Sequence, residues 1–347
     1  MYPSPAARSR FLISRFSHAA LFTAGLFVAA GGAIAADPPA AEQKPLLVDL
    51  VDTLNKLSGG PHPGYRANHA KGVLAEGTFT PSKAAVSVSK ALHFRKSVPV
   101  LVRFSNATGV PTLPDADPDA SPHGISIRFQ LPDSANTDIV SISANSFPVA
   151  TPEDFLAMLK AVSMSGPDAP KPTPIEQFLG SHPAAMKFVT TPRPAPVSFG
   201  TLAFYGVNAF KFTNAKSESR YGRYQIIPVA GEHALSDAEA KKAAPNYLME
   251  ELPKRIAKSP VKFKLLLQLA KDGDSTVDPT AVWPADRQVV ELGTITLKST
   301  PKDQAKQQKA LLFNPLTLVD GIEPSADPVL LARPGAYAVS YGQRAGQ

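Results

Sequence analysis

No cysteine occurs in the 347 residues. That absence excludes disulfides, thiolate metal ligands, iron–sulfur clusters and cysteine nucleophiles, so a hydrophobic core has to hold the fold. Long apolar runs are missing as well. The most apolar stretch, AALFTAGLFVAA from Ala19 to Ala30, falls well short of the roughly 20 residues a spanning helix needs. Charge of one sign is also scarce. The formal net charge is +7; Arg8, Arg10 and Arg15 carry three of those charges, leaving +4 on the rest, and no Lys/Arg run exceeds two residues. Nucleic-acid binders concentrate far more basic charge on one face, so no nucleic-acid partner is expected. A glycine-rich phosphate loop, a His-Glu-x-x-His helix and a Gly-x-Ser-x-Gly elbow are all absent, which removes the common phosphate, zinc and serine-hydrolase chemistries.

What is present begins with a basic front, a short apolar core and the small-residue exit Ala33-Ile34-Ala35. Together they describe a secretory leader over residues 1–36, with an uncleaved membrane anchor as the alternative. Without a cysteine, lipoprotein anchoring is excluded. The expectation is a chain that starts at Ala36 or Asp37, is exported to a periplasm, and has no stable membrane insertion after cleavage. Its roughly 310 residues suit one large domain or two small ones. No internal repeat divides them, so a single domain over 37–347 is the simpler expectation.

Proline is abundant, with 35 residues, and gathers in SGPDAPKPTP (165–174) and TPRPAPVS (191–198). Proline lacks a ladder donor and fixes φ, so these stretches read as connectors. Between such connectors lie β-branched, partly alternating segments: 98–105, 124–131, 138–144, 202–213, 222–230, 261–270 and 287–297. Many strands separated by turn signals predict an antiparallel barrel or sandwich. Helical signals are fewer. Residues 151–162 open with a threonine cap and a first-turn proline. Residues 236–258 read as one or two helices broken by Pro245 and Pro253, and 326–344 as a helix starting near Pro328. The class is α+β, a barrel core with peripheral helices.

Candidate site residues are sparse. His69 leads into a strand with Arg66 three residues before it, and Arg103 and Ser105 are two apart on a strand and so share one face. Each has an ordinary alternative, a structural histidine or a surface cation. On the last helix Arg333, Tyr337 and Arg344 fall on one stripe. The plain reading is an amphipathic terminal helix, yet Pro334-Gly335 inside that stripe is an odd choice for one. An arginine one turn from a tyrosine also favours phenolate, a ligand for ferric iron.

Three motifs in order then resemble the haem catalases, and among them the short catalase-related peroxidases: RANHAKG (66–72), VLVRFSNATG (100–109) and RPGAYAVSYGQR (333–344). The stretch 182–228 is similar to the same family almost continuously. The resemblance implies a catalase-type antiparallel β-barrel that binds haem b, with Tyr337 as the ligand of its iron and Arg333 paired with that phenolate. It assigns Arg66, Arg103 and Arg344 to the propionates, His69 to the distal base, Ser105 to its hydrogen-bond partner, and Asn145 to the amide that orients peroxide. A peroxidase is expected, reducing hydrogen peroxide and small organic hydroperoxides with organic electron donors, with weak catalase activity; a homodimer is among the assemblies the resemblance allows. The alternatives are a hydroperoxide-rearranging enzyme of the same fold and a non-catalytic haem carrier. Three departures from the family pattern bear on this. Asn68 and Ala107 stand where valines are usual, and His123 where an arginine is usual. A wider, more polar channel should favour peroxidase chemistry over disproportionation.

Overall fold

The computed structural model describes residues 45–346; the leader expected over 1–36 lies outside the described residues. Ten strands form one antiparallel sheet: β1 (Gly72–Pro81), β2 (Val98–Ser105), β3 (Gly124–Gln130), β4 (Asn136–Ile142), β5 (Phe204–Tyr205), β6 (Phe210–Thr213), β7 (Ser219–Pro228), β8 (Val261–Leu269), β9 (Val289–Ser299) and β10 (Ile322–Pro324). Their order is β10-β6-β7-β5-β4-β3-β2-β1-β9-β8, and β8 also pairs with β7. That last pairing closes β7, β5, β4, β3, β2, β1, β9 and β8 into an eight-stranded barrel. Closure removes the exposed sheet edges that an open sheet of this size would carry.

The barrel interior follows from the period of two along each strand. On β2, Val98, Val100, Val102 and Phe104 enter the main core, where they meet Phe79, Phe129, Phe199, Phe204 and Phe263. Arg103 and Ser105 point the opposite way, out of the barrel, and are nonetheless buried. A strand buried on both faces needs a second layer over its outer face.

Helices supply that layer. Among α1 (Leu46–Leu57), α2 (Pro152–Ser163), α3 (Pro174–Ser181), α4 (Pro183–Thr190), α5 (Asp237–Ala240), α6 (Tyr247–Lys258), α7 (Gln304–Ala310) and α8 (Pro328–Ala345), three build a smaller apolar cluster beside the barrel. There Leu50 and Val51 of α1 and Leu156 and Leu159 of α2 pack with Ala336 and Val339 of α8. The expected Thr151 cap holds, its hydroxyl accepting from the Asp154 amide at 3.1 Å. α8 starts as a proline-first helix should: Asp327 accepts from the amides of Val329 and Leu330 at 2.9 and 3.2 Å.

Pro334-Gly335 does not break α8. A Cβ on Gly335 would lie 2.5 Å from Leu47 Cδ1, the flexible end of an α1 side chain, so the glycine leaves room for Leu47 to pack onto α8. The break expected at Pro253 is likewise absent. α6 runs through it because Leu248, Leu252 and Ile256 anchor both halves in the core, outweighing one lost backbone bond. The break at Pro245 does occur, between α5 and α6. Residues 202–213 form two strands rather than one, and the turn between β5 and β6 carries Asn208. No helix among the described residues is long and apolar enough to cross a membrane.

Candidate active site

A cavity lies between the outer face of β2–β4 and the α1/α2/α8 layer. His69, Arg66, Arg103, Ser105, Arg333, Tyr337 and Arg344 all line it, with apolar walls from Leu50, Val51, Leu54, Val140, Phe147, Phe155 and Ala336. Segments separated by more than 200 residues thus converge, and seven of the eight residues singled out from the sequence sit together. Asn145 does not line the cavity; it follows the end of β4. The cavity-facing β4 position across from Gly124 is Ile142. Asn68 lines the cavity, whereas Ala107 does not.

His69 stands just ahead of β1, with φ at +55° in the left-handed region, a costly conformation for a residue with a Cβ. It is held on several sides. Arg103 Nη2 donates to the His69 carbonyl at 2.9 Å and to the Ala70 carbonyl at 3.1 Å. The ring Nδ1 lies 2.9 Å from the Asn106 carbonyl and 3.2 Å from Ser105 Oγ. A carbonyl only accepts, so Nδ1 carries the proton and Nε2 carries the lone pair. Burial, then the positive charge of Arg103, push the His69 pKa down to about 4. Around neutral pH this is a neutral imidazole whose free nitrogen has no protein partner among the described residues. Gly124 makes room for it: a Cβ there would sit 2.7 Å from Ser105 Oγ and 2.9 Å from His69 Nδ1.

On the helix side, Arg333 Nε donates to Tyr337 Oη at 3.0 Å, across one turn of α8. Its other nitrogens donate to Asn208 Oδ1 at 2.7 Å and to the Val140 carbonyl at 3.2 Å. Asn208 Nδ2 in turn donates to Asp327 Oδ2 at 2.7 Å. The carboxylate that caps α8 therefore also anchors the amide that anchors Arg333. Asn208 and Asp327 are members of the site that the sequence motifs did not reveal; the only available signal was Asp327 preceding Pro328.

Arg66, Arg103 and Arg344 form the third part. Arg66 Nη2 and Arg344 Nη2 both donate to the Leu311 carbonyl, at 2.8 and 2.5 Å, and Arg103 Nε donates to Gln308 Oε1 at 2.8 Å. No carboxylate pairs with any of the three among the described residues. Burial lowers the pKa of each: Arg103 to about 9, with Arg344 as the next cause, and Arg66 well below its ordinary value, with Arg103 and Arg344 adding repulsion. Three clustered guanidinium groups without a counter-ion, Arg103 and Arg344 buried and Arg66 half-buried, are expensive. The arrangement calls for an anionic ligand that brings more than one negative charge.

The donor set fits a haem. Apolar walls suit the faces of a porphyrin, the arginine cluster suits its two carboxylates, a tyrosine hydroxyl held by arginine suits ferric iron, and a neutral histidine base lines the same space.

The matches to known proteins agree with this chemistry. The family model Catalase matches residues 48–347. A catalase-related peroxidase of Mycolicibacterium paratuberculosis is 37% identical over 293 residues, 83% of this chain and 92% of the relative. One from Synechococcus elongatus is 37% identical over 291 residues, 82% of this chain and 85% of the relative. Among solved structures, a fungal catalase superposes with a TM-score of 0.73 at 26% identity, covering 91% of this chain and 67% of its own. Catalase A from Saccharomyces cerevisiae gives 0.72 at 24% identity, covering 85% and 64%, a likeness of fold. The chain belongs to the catalase family, and it spans about two thirds of the length of these two full-sized catalases.

Proposed function

We propose that the protein is a haem b peroxidase that reduces hydrogen peroxide and small organic hydroperoxides at the expense of organic electron donors, with a minor catalase reaction. The observation that carries the reading is His69: a neutral imidazole with its tautomer fixed by Asn106, lining one cavity with an arginine-bound tyrosine and three counter-ion-free arginines. Tyr337 would hold the iron, with Arg333 donating to its phenol oxygen, and Arg66, Arg103 and Arg344 would bind the carboxylates. When bound, the haem supplies the redox chemistry that accepts electrons from donors and passes them to peroxide.

The chain's own part is proton management. His69 Nε2 takes the proton from the incoming peroxide oxygen and returns it to the departing one, so no free hydroxide has to leave. Ser105 and Asn106 hold the ring so that only Nε2 is free. Burial, and after it the charge of Arg103, keeps the imidazole unprotonated, so the base is ready at neutral pH. A haem carrier needs none of this tautomer control. Export to a periplasm remains part of the proposal on the strength of the leader alone.

The test is the visible spectrum of the purified holoprotein and of Tyr337→Phe, read together with donor oxidation on adding peroxide. A high-spin ferric spectrum that collapses in Tyr337→Phe, and peroxide-dependent donor oxidation in the wild type, are expected. Haem loading with an unchanged spectrum in Tyr337→Phe would remove that residue as ligand. A loaded wild-type protein without donor oxidation would remove the peroxidase reading.

A further inference from the structure

Behind His69, on the side away from the cavity, lies a buried polar cluster of which the reaction described above uses only the Asn106 carbonyl. Asp115 is 1% exposed and Asn106 is fully buried. Lys71 Nζ, also buried, sits 2.6 Å from Asp115 Oδ1 and donates to the carbonyls of Leu113 and Pro245 at 2.9 and 2.8 Å. Asp115 Oδ2 accepts from the Leu248 amide at 2.8 Å, at the start of α6. Asn106 Nδ2 donates to Asp115 Oδ1 at 2.8 Å, while the Asn106 amide donates to the Lys71 carbonyl at 3.0 Å. Its own carbonyl accepts from His69 Nδ1.

One atom has no partner among the described residues: Asn106 Oδ1 is buried and unpaired there. Flipping the amide cannot cure this, because the atom facing the Asp115 carboxylate has to be a donor. A side chain retained only to fill space could be an apolar residue of similar size without an orphaned oxygen. What Asn106 alone provides is a donor that ties this segment to a fixed carboxylate. The residue it steadies, His69, is itself held at positive φ. Two costly local features therefore meet at the bond that sets the histidine tautomer.

We propose that the Lys71–Asp115–Asn106 cluster is a positioning device for His69. Asp115, neutralised by Lys71 and fixed to α6, grips the Asn106 side chain and so aims the Asn106 carbonyl at His69 Nδ1. This keeps the proton on Nδ1 and the lone pair of Nε2 toward the cavity. The proposal rests on the reading of His69 as the base. Losing the grip lets the carbonyl turn away, so the ring loses both its aim and the acceptor that stabilises its protonated form.

The test uses the haem-loaded protein with two probes, hydrogen peroxide and cyanide; hydrogen cyanide must also give up a proton as it binds. In Asn106→Ala both second-order rates should fall at least about tenfold, a part of the roughly 10²–10⁴-fold a positioned base contributes. The acid limb of each rate profile should move to lower pH, with haem content unchanged. Asn106→Ser serves if the alanine variant does not fold or load haem. Unchanged rates and an unmoved acid limb, with only a lower melting temperature, would overturn the proposal and leave the cluster as packing. His69→Ala is the reference: if it too leaves cyanide binding unchanged, the fault lies with His69 as base. If His69→Ala slows binding and Asn106→Ala does not, only the positioning proposal fails.

Discussion

Adding one methyl group at Gly124 should injure the chemistry more than the fold. The backbone of Gly124 is ordinary strand, pairing with Ser105 on β2 and Ile142 on β4, so alanine carries no conformational penalty there. The penalty is steric. The new Cβ would sit 2.7 Å from Ser105 Oγ, 2.9 Å from His69 Nδ1 and 3.1 Å from its Cε1. Ser105 can rotate its hydroxyl away; the imidazole, bonded to Asn106 at 2.9 Å, has to move bodily. Restoring ordinary contact requires a displacement of about 0.5 Å, and a misplacement of about 1 Å costs on the order of 10²-fold in rate. Gly124→Ala should therefore slow the reaction with hydrogen peroxide about tenfold. Overpacking should cost about 1–3 kcal/mol of stability, while the haem spectrum stays as in the wild type, since Tyr337 and the arginines are untouched. Stopped-flow mixing with peroxide, normalised to haem, is the assay. A normal rate in a normally loaded Gly124→Ala protein would refute the claim that the ring is held against β3.

Removing residues 343–347 should weaken haem retention measurably in a competition with apomyoglobin, because the deletion takes Arg344 and also Gln343, which bonds to Asn55 at 2.8 Å and to Asp52 at 3.0 Å; retention equal to wild type would remove Arg344 as a propionate ligand. Asn68→Val should lower the rate with a cumene-type hydroperoxide relative to that with hydrogen peroxide, whereas Ala107→Val, away from the cavity, should leave the ratio alone; the reverse pattern would place the access route elsewhere. Buried histidines should make the fold acid-sensitive. His93 and His123 are pushed by burial to about 3, and His69 by burial to about 4. Each folded pKa lies below the unfolded value near 6.5, so the unfolded chain binds more protons between those limits. Stability is then complete above about pH 6.5 and falls as pH drops toward 3. His93→Leu, in the aromatic cluster with Phe94 and Phe129, should flatten part of that slope in melting curves; an unchanged slope would mean that His93 does not titrate on unfolding.

The barrel was legible because its strands obey a period of two, and β2 shows why the site was legible as well. Arg103 and Ser105 interrupt an apolar strand on one face only, which marks an outer face that something polar must meet. Arg333 and Tyr337 stand one turn apart and do touch. Asn145 shows the limit: the resemblance placed an amide by its neighbourhood in the chain, but a cavity-facing position is set by strand register, and β4 ends at Ile142. The partners of Arg66 and Arg344 were not legible at all. Both donate to the backbone carbonyl of Leu311, and a carbonyl leaves no mark in a side-chain pattern. Helix α1 also went unanticipated, since only its packing on Gly335 and α2 gives it a place. Pro253 and Pro334 show tertiary packing overriding a local helix-breaking signal.

The central claim is that a neutral, tautomer-fixed His69 is the proton-transferring base of a haem site held by Tyr337. Stopped-flow mixing of haem-loaded His69→Ala with hydrogen peroxide tests it most directly. The prediction is a protein with wild-type haem content and spectrum whose reaction with peroxide is slower by roughly 10²–10⁴-fold. A rate within a factor of a few of the wild type would contradict it.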